Sequence, residues 1–260
     1  MTTRHRILGA LAALAVVAAA VALRPRTRLR TSRFANVPED APVAAHLDFE
    51  AVRETDLLRA LHGRLVLPAE CEATLPHIES MSVLLDEQAR FGALVRGDAD
   101  FEPCLRAAQG ALLVERRSDL RWLRAARSEH VAVLFDGGDV AIGSEALVEA
   151  ILRVVHGEAP SAAAQGAELP AAPLVARAQL SPRYGRQLAR FFGAFTAPTG
   201  VSAAARLGEP IEAFGELRFD SAQDARRFAD AAEGISAEAD GRVVRFRREW
   251  SVAELLELLP

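Results

Sequence analysis

His46, Asp48 and Glu50 set an imidazole and two carboxylates at alternate positions of one short stretch. Imidazole nitrogen and carboxylate oxygen are ordinary ligands of divalent metals. Val43, Ala45, Leu47 and Phe49 alternate with Ala44, His46 and Asp48, so a strand would put His46 and Asp48 on one face, with Glu50 following in the turn. A metal would need further ligands from elsewhere, and past the leading segment the other imidazoles are His62, His77, His130 and His156. Alternatively, Asp48 is the N-cap of the following helix and His46 lies on an exposed strand face. The second half of the chain favours this alternative, because its matching strand carries Arg177 and Gln179, which share no ligand chemistry. No catalytic residue, metal ligand or cofactor is therefore assigned, and His46, Asp48 and Glu50 stay as the centre of a rival, metal-dependent enzyme.

Other chemistries find less support. The chain has no Gly-x-Ser-x-Gly elbow, and a Ser-x-x-Lys pair is excluded because every basic residue is arginine, a bias that GC-rich coding explains. Gly137-Gly138 lacks the Gly-Lys-Ser/Thr that a phosphate loop needs, and Asp136 with Asp139 in one turn falls short of the six to eight oxygens that calcium takes. Asp86-Glu87 belongs to a hairpin turn and reads as solvated surface. Phe191, Phe192 and Phe195 recur at helical spacing and read as core, while Trp122 and Trp250 fall in or near strands. Cys71 and Cys104 are the only cysteines: an even pair suits one disulfide in an oxidising compartment, and two buried thiols are the alternative.

Location is written more plainly than chemistry. Ile7 to Leu23 is free of charge and proline and flanked by arginines, with eight alanines among its seventeen residues. As a helix it would be about 25 Å long, slightly short of a hydrocarbon core, with Arg6 and Arg24 able to snorkel. An uncleaved transmembrane anchor is the first reading, a cleaved signal ending at the small pair Ala18 and Ala20 is the second, and a segment that does not insert is the third. Five arginines follow the segment up to Arg33 and two precede it, which by charge alone keeps the remainder inside. The cysteine pair argues for an extracytoplasmic domain, the orientation preferred here. Beyond position 33 the chain holds 24 arginines against 35 acids, a net charge of −11, which excludes a basic nucleic-acid surface.

The elements that must position these residues follow from periodicity. After a basic linker at 24–36, a strand from Val43 leads into a helix from Glu50 to about Leu65, carrying Leu57, Leu58, Leu61 and Leu65. Strands at 78–86 and 91–96, a helix at 100–109 closed by Gly110 and a strand at 111–116 complete a β-α-β-β-α-β order, that of a split βαβ, ferredoxin-like unit. An apolar stretch at 120–126 and a hairpin about Asp136-Gly137-Gly138-Asp139 precede a helix capped by Ser144, with Leu147, Val148, Ile151, Leu152 and Val155 on one face. An Ala/Pro-rich linker at 158–173 then separates a first unit, 37–157, from a second, 174–260. The second repeats the order: a strand at 174–180, a helix at 184–195, strands at 201–207 and 211–219, a helix at 221–233, and a strand at 242–248 before a final helix boxed by Ser251 and Glu254. Phe91 to Gly110 parallels Phe214 to Gly234 in residue pattern. The expected fold is α+β: two tandem ferredoxin-like pseudo-repeats with antiparallel sheets, behind one N-terminal membrane segment.

Val37-Pro38-Glu39-Asp40-Ala41-Pro42, followed by a strand ending Leu47-Asp48 and preceded by an anchor and a basic stop, resembles the opening of bacterial membrane-anchored extracytoplasmic proteins of unknown function. The resemblance implies a place and no activity. The expected role is a non-catalytic binding or scaffold module of the cell envelope, held at the membrane through Ile7 to Leu23. An enzyme of unrecognised class and a ligand or lipid carrier with an apolar cavity between the two units are its rivals.

Overall fold

Twelve strands pair edge to edge into one sheet in this computed structural model, which describes residues 32–254 apart from 65, 66, 89, 111, 118, 119, 126, 127, 136, 137 and 168. The hydrophobic segment, the linker up to Thr31, the Asp136-Gly137 part of the hairpin turn and the end of the last helix lie outside the described residues. Among the described helices none is long and apolar enough to cross a membrane.

The first half runs β1 (Val43–Asp48), α1 (Phe49–Val52), α2 (Asp56–Arg64), α3 (Ala69–Glu72), β2 (Ile78–Leu85), β3 (Phe91–Gly97), α4 (Glu102–Gln109), β4 (Leu112–Arg117), β5 (Leu120–Ala125), β6 (His130–Leu134), β7 (Val140–Ser144) and α5 (Glu145–Val155). After α6 (Ala163–Ala167) come β8 (Leu174–Gln179), α7 (Pro182–Phe191), β9 (Gly200–Leu207), β10 (Ile211–Arg218), α8 (Ala222–Ala231), β11 (Ser236–Asp240) and β12 (Val243–Trp250). The sheet order is β11-β12-β10-β9-β8-β1-β2-β3-β7-β6-β5-β4.

Each half therefore follows one rule. Three strands lie side by side, a helix (α4 or α8) carries the chain to the outer edge, and hairpins walk it back to the third strand. The first half uses four returning strands and the second two. This corrects the expected ferredoxin-like connectivity, in which helix crossovers join parallel strands. Every strand pair here is antiparallel, and β4, expected to complete the split unit, pairs only β5 at the far edge. β8 pairs β1 over Val43↔Ala178 to Leu47↔Leu174, so the two halves share one sheet.

Alternation assigns each strand residue to a face, and each face has its own cover. On one face Ala44, Leu84, Leu94, Val133, Ala141 and Val175 pack under Val148, Ile151 and Leu152 of α5, under Phe34, Val37 and Ala41, and under Ala162 and Ala172 of the stretch read as a linker. On the other, Met81, Val95, Leu134 and Ile142 meet Phe49, Cys71, Phe101, Cys104 and Leu105 from the helical side. Further along that second face Leu217, Val244 and Phe246 meet Ala189, Phe192, Ala225 and Phe228.

Local chemistry moved some boundaries. The helix expected from Glu50 to Leu65 is two, because the Val52 carbonyl accepts from the Thr55 amide (3.0 Å) and hydroxyl (2.8 Å), and that hydroxyl then caps Leu58. The helix expected to reach Phe195 stops at Phe191. Gly193, at φ 69°, closes it with bonds from Gly193 to Arg190 and from Ala194 to Ala189, the Schellman arrangement. Phe192 is core, but Phe195 lies beyond the stop and is 93% exposed, with Phe191 at 45%, so two of the three phenylalanines expected in the core are surface. Ser144 makes no cap hydrogen bond. The box at Ser251 and Glu254 forms as expected, with Glu254 accepting from Ser251 N at 2.7 Å and Ser251 Oγ accepting from Glu254 N at 3.2 Å.

Candidate functional site

His46 and Asp48 do share a face, but their side chains are spent on structure. Asp48 is the N-cap of α1, its Oδ1 accepting from Ala51 N at 3.1 Å, and Glu50 lies exposed in the first turn of that helix. His46 Nδ1 sits 2.9 Å from Ser82 Oγ, with the Phe34 ring edge-on at 6.2 Å. Elsewhere His77 meets Asp98 at 3.0 Å on the surface and His130 meets Ser128 at 2.9 Å. The side chain of His62 lies outside the described residues. Among the described residues no three His, Cys, Asp or Glu are placed to hold a metal ion.

Burial, and next the Arg33 charge, lower the His46 pKa to about 4, with Asp48 pulling it back and Arg96 pushing further down. The imidazole is thus folded in neutral form. Unfolding restores its ordinary affinity for a proton, so the unfolded chain binds more protons between pH 6.5 and 4, and stability falls as pH falls through that window. The loss is at most about 3 kcal/mol, from 1.4 kcal/mol per unit. Urea midpoints at pH 7.5 and 4.5 should differ less for His46→Gln than for the natural chain; equal differences would deny His46 this role. His130, also lowered by burial, acts in the same direction and remains in the variant.

Cys71 on α3 and Cys104 on α4 are at disulfide distance, with α-carbons 4.7 Å apart and both side chains fully buried. The pair joins two helices over the first-half core.

A polar hollow of about 400 Å³ opens over the second half, on the sheet face that carries His46. Its floor is two neighbouring rungs. Arg177, Ser202 and Glu216 align across β8, β9 and β10, and Gln179, Gly200 and Arg218 align beside them. Gly200 contributes depth, for it puts no side chain between Gln179 and Arg218. Gln165 of α6 and Leu169 form the wall, and Thr199 stands at the rim.

The Arg177 guanidinium donates from Nη2 to the Glu39 carbonyl at 3.1 Å, but its Nε is buried without a partner, as is Gln165 Oε1. Each such atom costs about 1–3 kcal/mol. Burial lowers the Arg177 pKa, with Glu39 opposing. Glu216 is engaged by Arg245 at 3.5 Å, whereas among the described residues Arg218 makes no ion pair. Among the described residues that line it, the hollow sets two guanidiniums against the one carboxylate of Glu216, with hydroxyls and amides beside them and no imidazole or thiol.

The same rungs exist in the first half and are closed. His46 pairs Ser82 as Arg177 pairs Ser202, but Phe34, 1% exposed, covers that spot from the N-terminal segment. A larger groove of about 600 Å³ runs between α5 and the β4–β5 hairpin, yet its Arg117 is held by Glu115 and Glu145, each at 2.8 Å, and lies over Trp122 at 4.7 Å.

Sequence periodicity reached Arg177 and Gln179 only as counterparts of His46 and Asp48, and missed Gln165, Glu216 and Arg218. A polar residue on an alternating strand looks solvated until register aligns it with others.

No family model matches the chain, and no curated protein matches it. Solved structures of TP0453 do. Crystal form III superposes with a TM-score of 0.65 at 7% identity, covering 88% of this chain and 98% of that one. Form I gives 0.61 at 7% identity and form IV 0.59 at 9%, each covering 88% of this chain and 96% of that one. Likeness at this identity is one of fold alone.

Proposed function

We propose that this chain is a membrane-tethered, extracytoplasmic, non-catalytic binding protein of the bacterial cell envelope, with the hollow over β8, β9 and β10 as the seat of a small anionic group. The observation that carries it is the pair of rungs bearing Arg177 and Arg218, two guanidiniums against the one carboxylate of Glu216, walled by Gln165 of α6, and equipped with a buried guanidinium nitrogen that lacks a partner. Guanidinium matches carboxylate and phosphate geometry, and partial burial strengthens such bonds. The tether rests on Ile7 to Leu23, and the outward orientation on the buried cysteine pair and the Val37 to Pro42 resemblance.

The two halves are, on this proposal, copies of one β-α-β-β-α-hairpin unit whose equivalent rungs diverged: the first was sealed by Phe34 and the second was left open.

Full-length protein in detergent should be stabilised saturably by sodium acetate or inorganic phosphate at fixed ionic strength. Arg177→Gln should weaken that response at least tenfold, as expected for loss of a charge-assisted pair. A response identical in the variant sinks the seat. A reporter fused after Pro260 and active only in the cytoplasm sinks the envelope assignment.

A further inference from the structure

Two side chains that line the hollow each hold a buried orphan atom, one of each polarity. Arg177 Nε is a donor without an acceptor, and Gln165 Oε1 is an acceptor without a donor. A simple carboxylate, which only accepts, would satisfy the first and leave the second as it is. We propose that the ligand is zwitterionic, a free amino acid or a short peptide with free termini. Its carboxylate lies toward Arg177 and Arg218, and its ammonium toward Gln165 Oε1. This rests on the anion-seat reading above and adds the second pole.

Three further features fit. Glu216 closes the Arg177 rung with a carboxylate, so the hollow is not uniformly positive, and an ammonium meets negative as well as neutral acceptors there. Ser202, between Arg177 and Glu216 on that rung, has a hydroxyl that can donate to one pole or accept from the other. Leu169 gives the wall an apolar patch for a side chain, and a volume of about 400 Å³ falls in the range of small-ligand sites, larger than one small amino acid fills. Both orphan atoms are sealed from solvent, so on this proposal binding requires the Arg177 and Gln165 side chains to turn into the hollow, with Arg177 exchanging its bond to the Glu39 carbonyl for the ligand carboxylate.

The test is calorimetric titration of the full-length protein in detergent with alanyl-alanine, N-acetyl-alanine and acetate at neutral pH. Alanyl-alanine should bind at least tenfold more tightly than the other two. Gln165→Leu should erase that advantage while leaving acetate binding unchanged, and Gln165→Glu should keep or increase it. If N-acetyl-alanine and acetate bind as tightly as alanyl-alanine and Gln165→Leu alters none of them, the zwitterion is wrong and the anion seat stands. If none binds, or Arg177→Gln leaves all three unchanged, the seat itself is wrong and this inference goes with it. Gly200→Val is a second probe of place, since a Cβ there meets only ordinary contacts (3.4 Å to the Ala178 carbonyl) and the added methyls fill the floor. Retained alanyl-alanine binding in that variant overturns the location.

Discussion

Replacing Cys71 and Cys104 together by alanine is expected to lower the free energy of unfolding by about 3–4 kcal/mol, the loop-closure value for a bridge of this span. The two residues are 33 apart in sequence, so the cross-link removes a loop of that size from the freedom of the unfolded chain. Its native partners make the site specific. Cys71 on α3 and Cys104 on α4 sit in the core that Met81, Val95, Phe101, Leu105 and Leu134 complete, and the link holds two short elements against one another where neither has length enough to be stable alone. Urea unfolding of the oxidised natural chain, the same chain with reductant, and the double alanine variant should give one high midpoint and two low ones. Coincidence of all three would mean that the thiols are not joined in solution, and would remove the main structural support for an oxidising compartment. A drop confined to the alanine variant would assign the effect to lost packing.

How the chain declares itself in sequence depends on the range of the interaction involved. Alternation from Val43 to Asp48, the turn between Leu85 and Phe91, and the glycines closing helices at 110 and 157 are all settled within a few residues, and those strands and helix stops stand where the signals put them, whereas α8 ends at Ala231, short of Gly234. Ser144 holds the N-cap position of α5 but makes no side-chain cap, because it is still the last residue of β7. Alternation carries its side chain, with Val140 and Ile142, to the face opposite that on which Val148 and Ile151 of α5 pack, away from the amides it was expected to cap. Strand order departs from the expected one for a different reason. Nothing local in Leu112 to Arg117 says that α4 carries the chain to the sheet edge; that follows from β7 competing successfully for the side of β3, through pairs such as Ala93↔Ile142. The hollow is of the second kind too. Arg177, Ser202 and Glu216 are distant in sequence and meet only through two registers, and Gln165 comes from a stretch whose alanines and prolines resembled a linker. Asp48 was legible as a cap because capping is local.

The companion expectation concerns the second half. Phe228→Ala should cost about 3–5 kcal/mol, the range for emptying a buried phenylalanine site. Phe228 is fully buried on α8, 5.2 Å from the Phe219 ring and 5.9 Å from Phe192, above Leu217 and Val244 of the sheet. Neighbours on three sides are anchored in strands or in the closed end of α7, so the cavity cannot collapse cheaply. Phe228→Leu keeps most of the volume and should lose far less. The number of transitions carries the sharper information. If residues 37–157 and 174–260 were autonomous, Phe228→Ala would split the melt, leaving a first-half transition at its natural midpoint. The β1–β8 ladder argues otherwise: breaking the second half strips β1 of one of its two neighbours, exposes the backbone edge from Val43 to Leu47, and uncovers Val175 and Ala204 from the core they share with Phe34 and Leu84. One transition, lowered as a whole, is therefore expected by calorimetry. Combining Phe228→Ala with the double cysteine change should then add within about 0.5 kcal/mol, because the two sites share no partner. Two separate transitions, each moved by only one of the changes, would mean that the shared ladder is too weak to couple the halves.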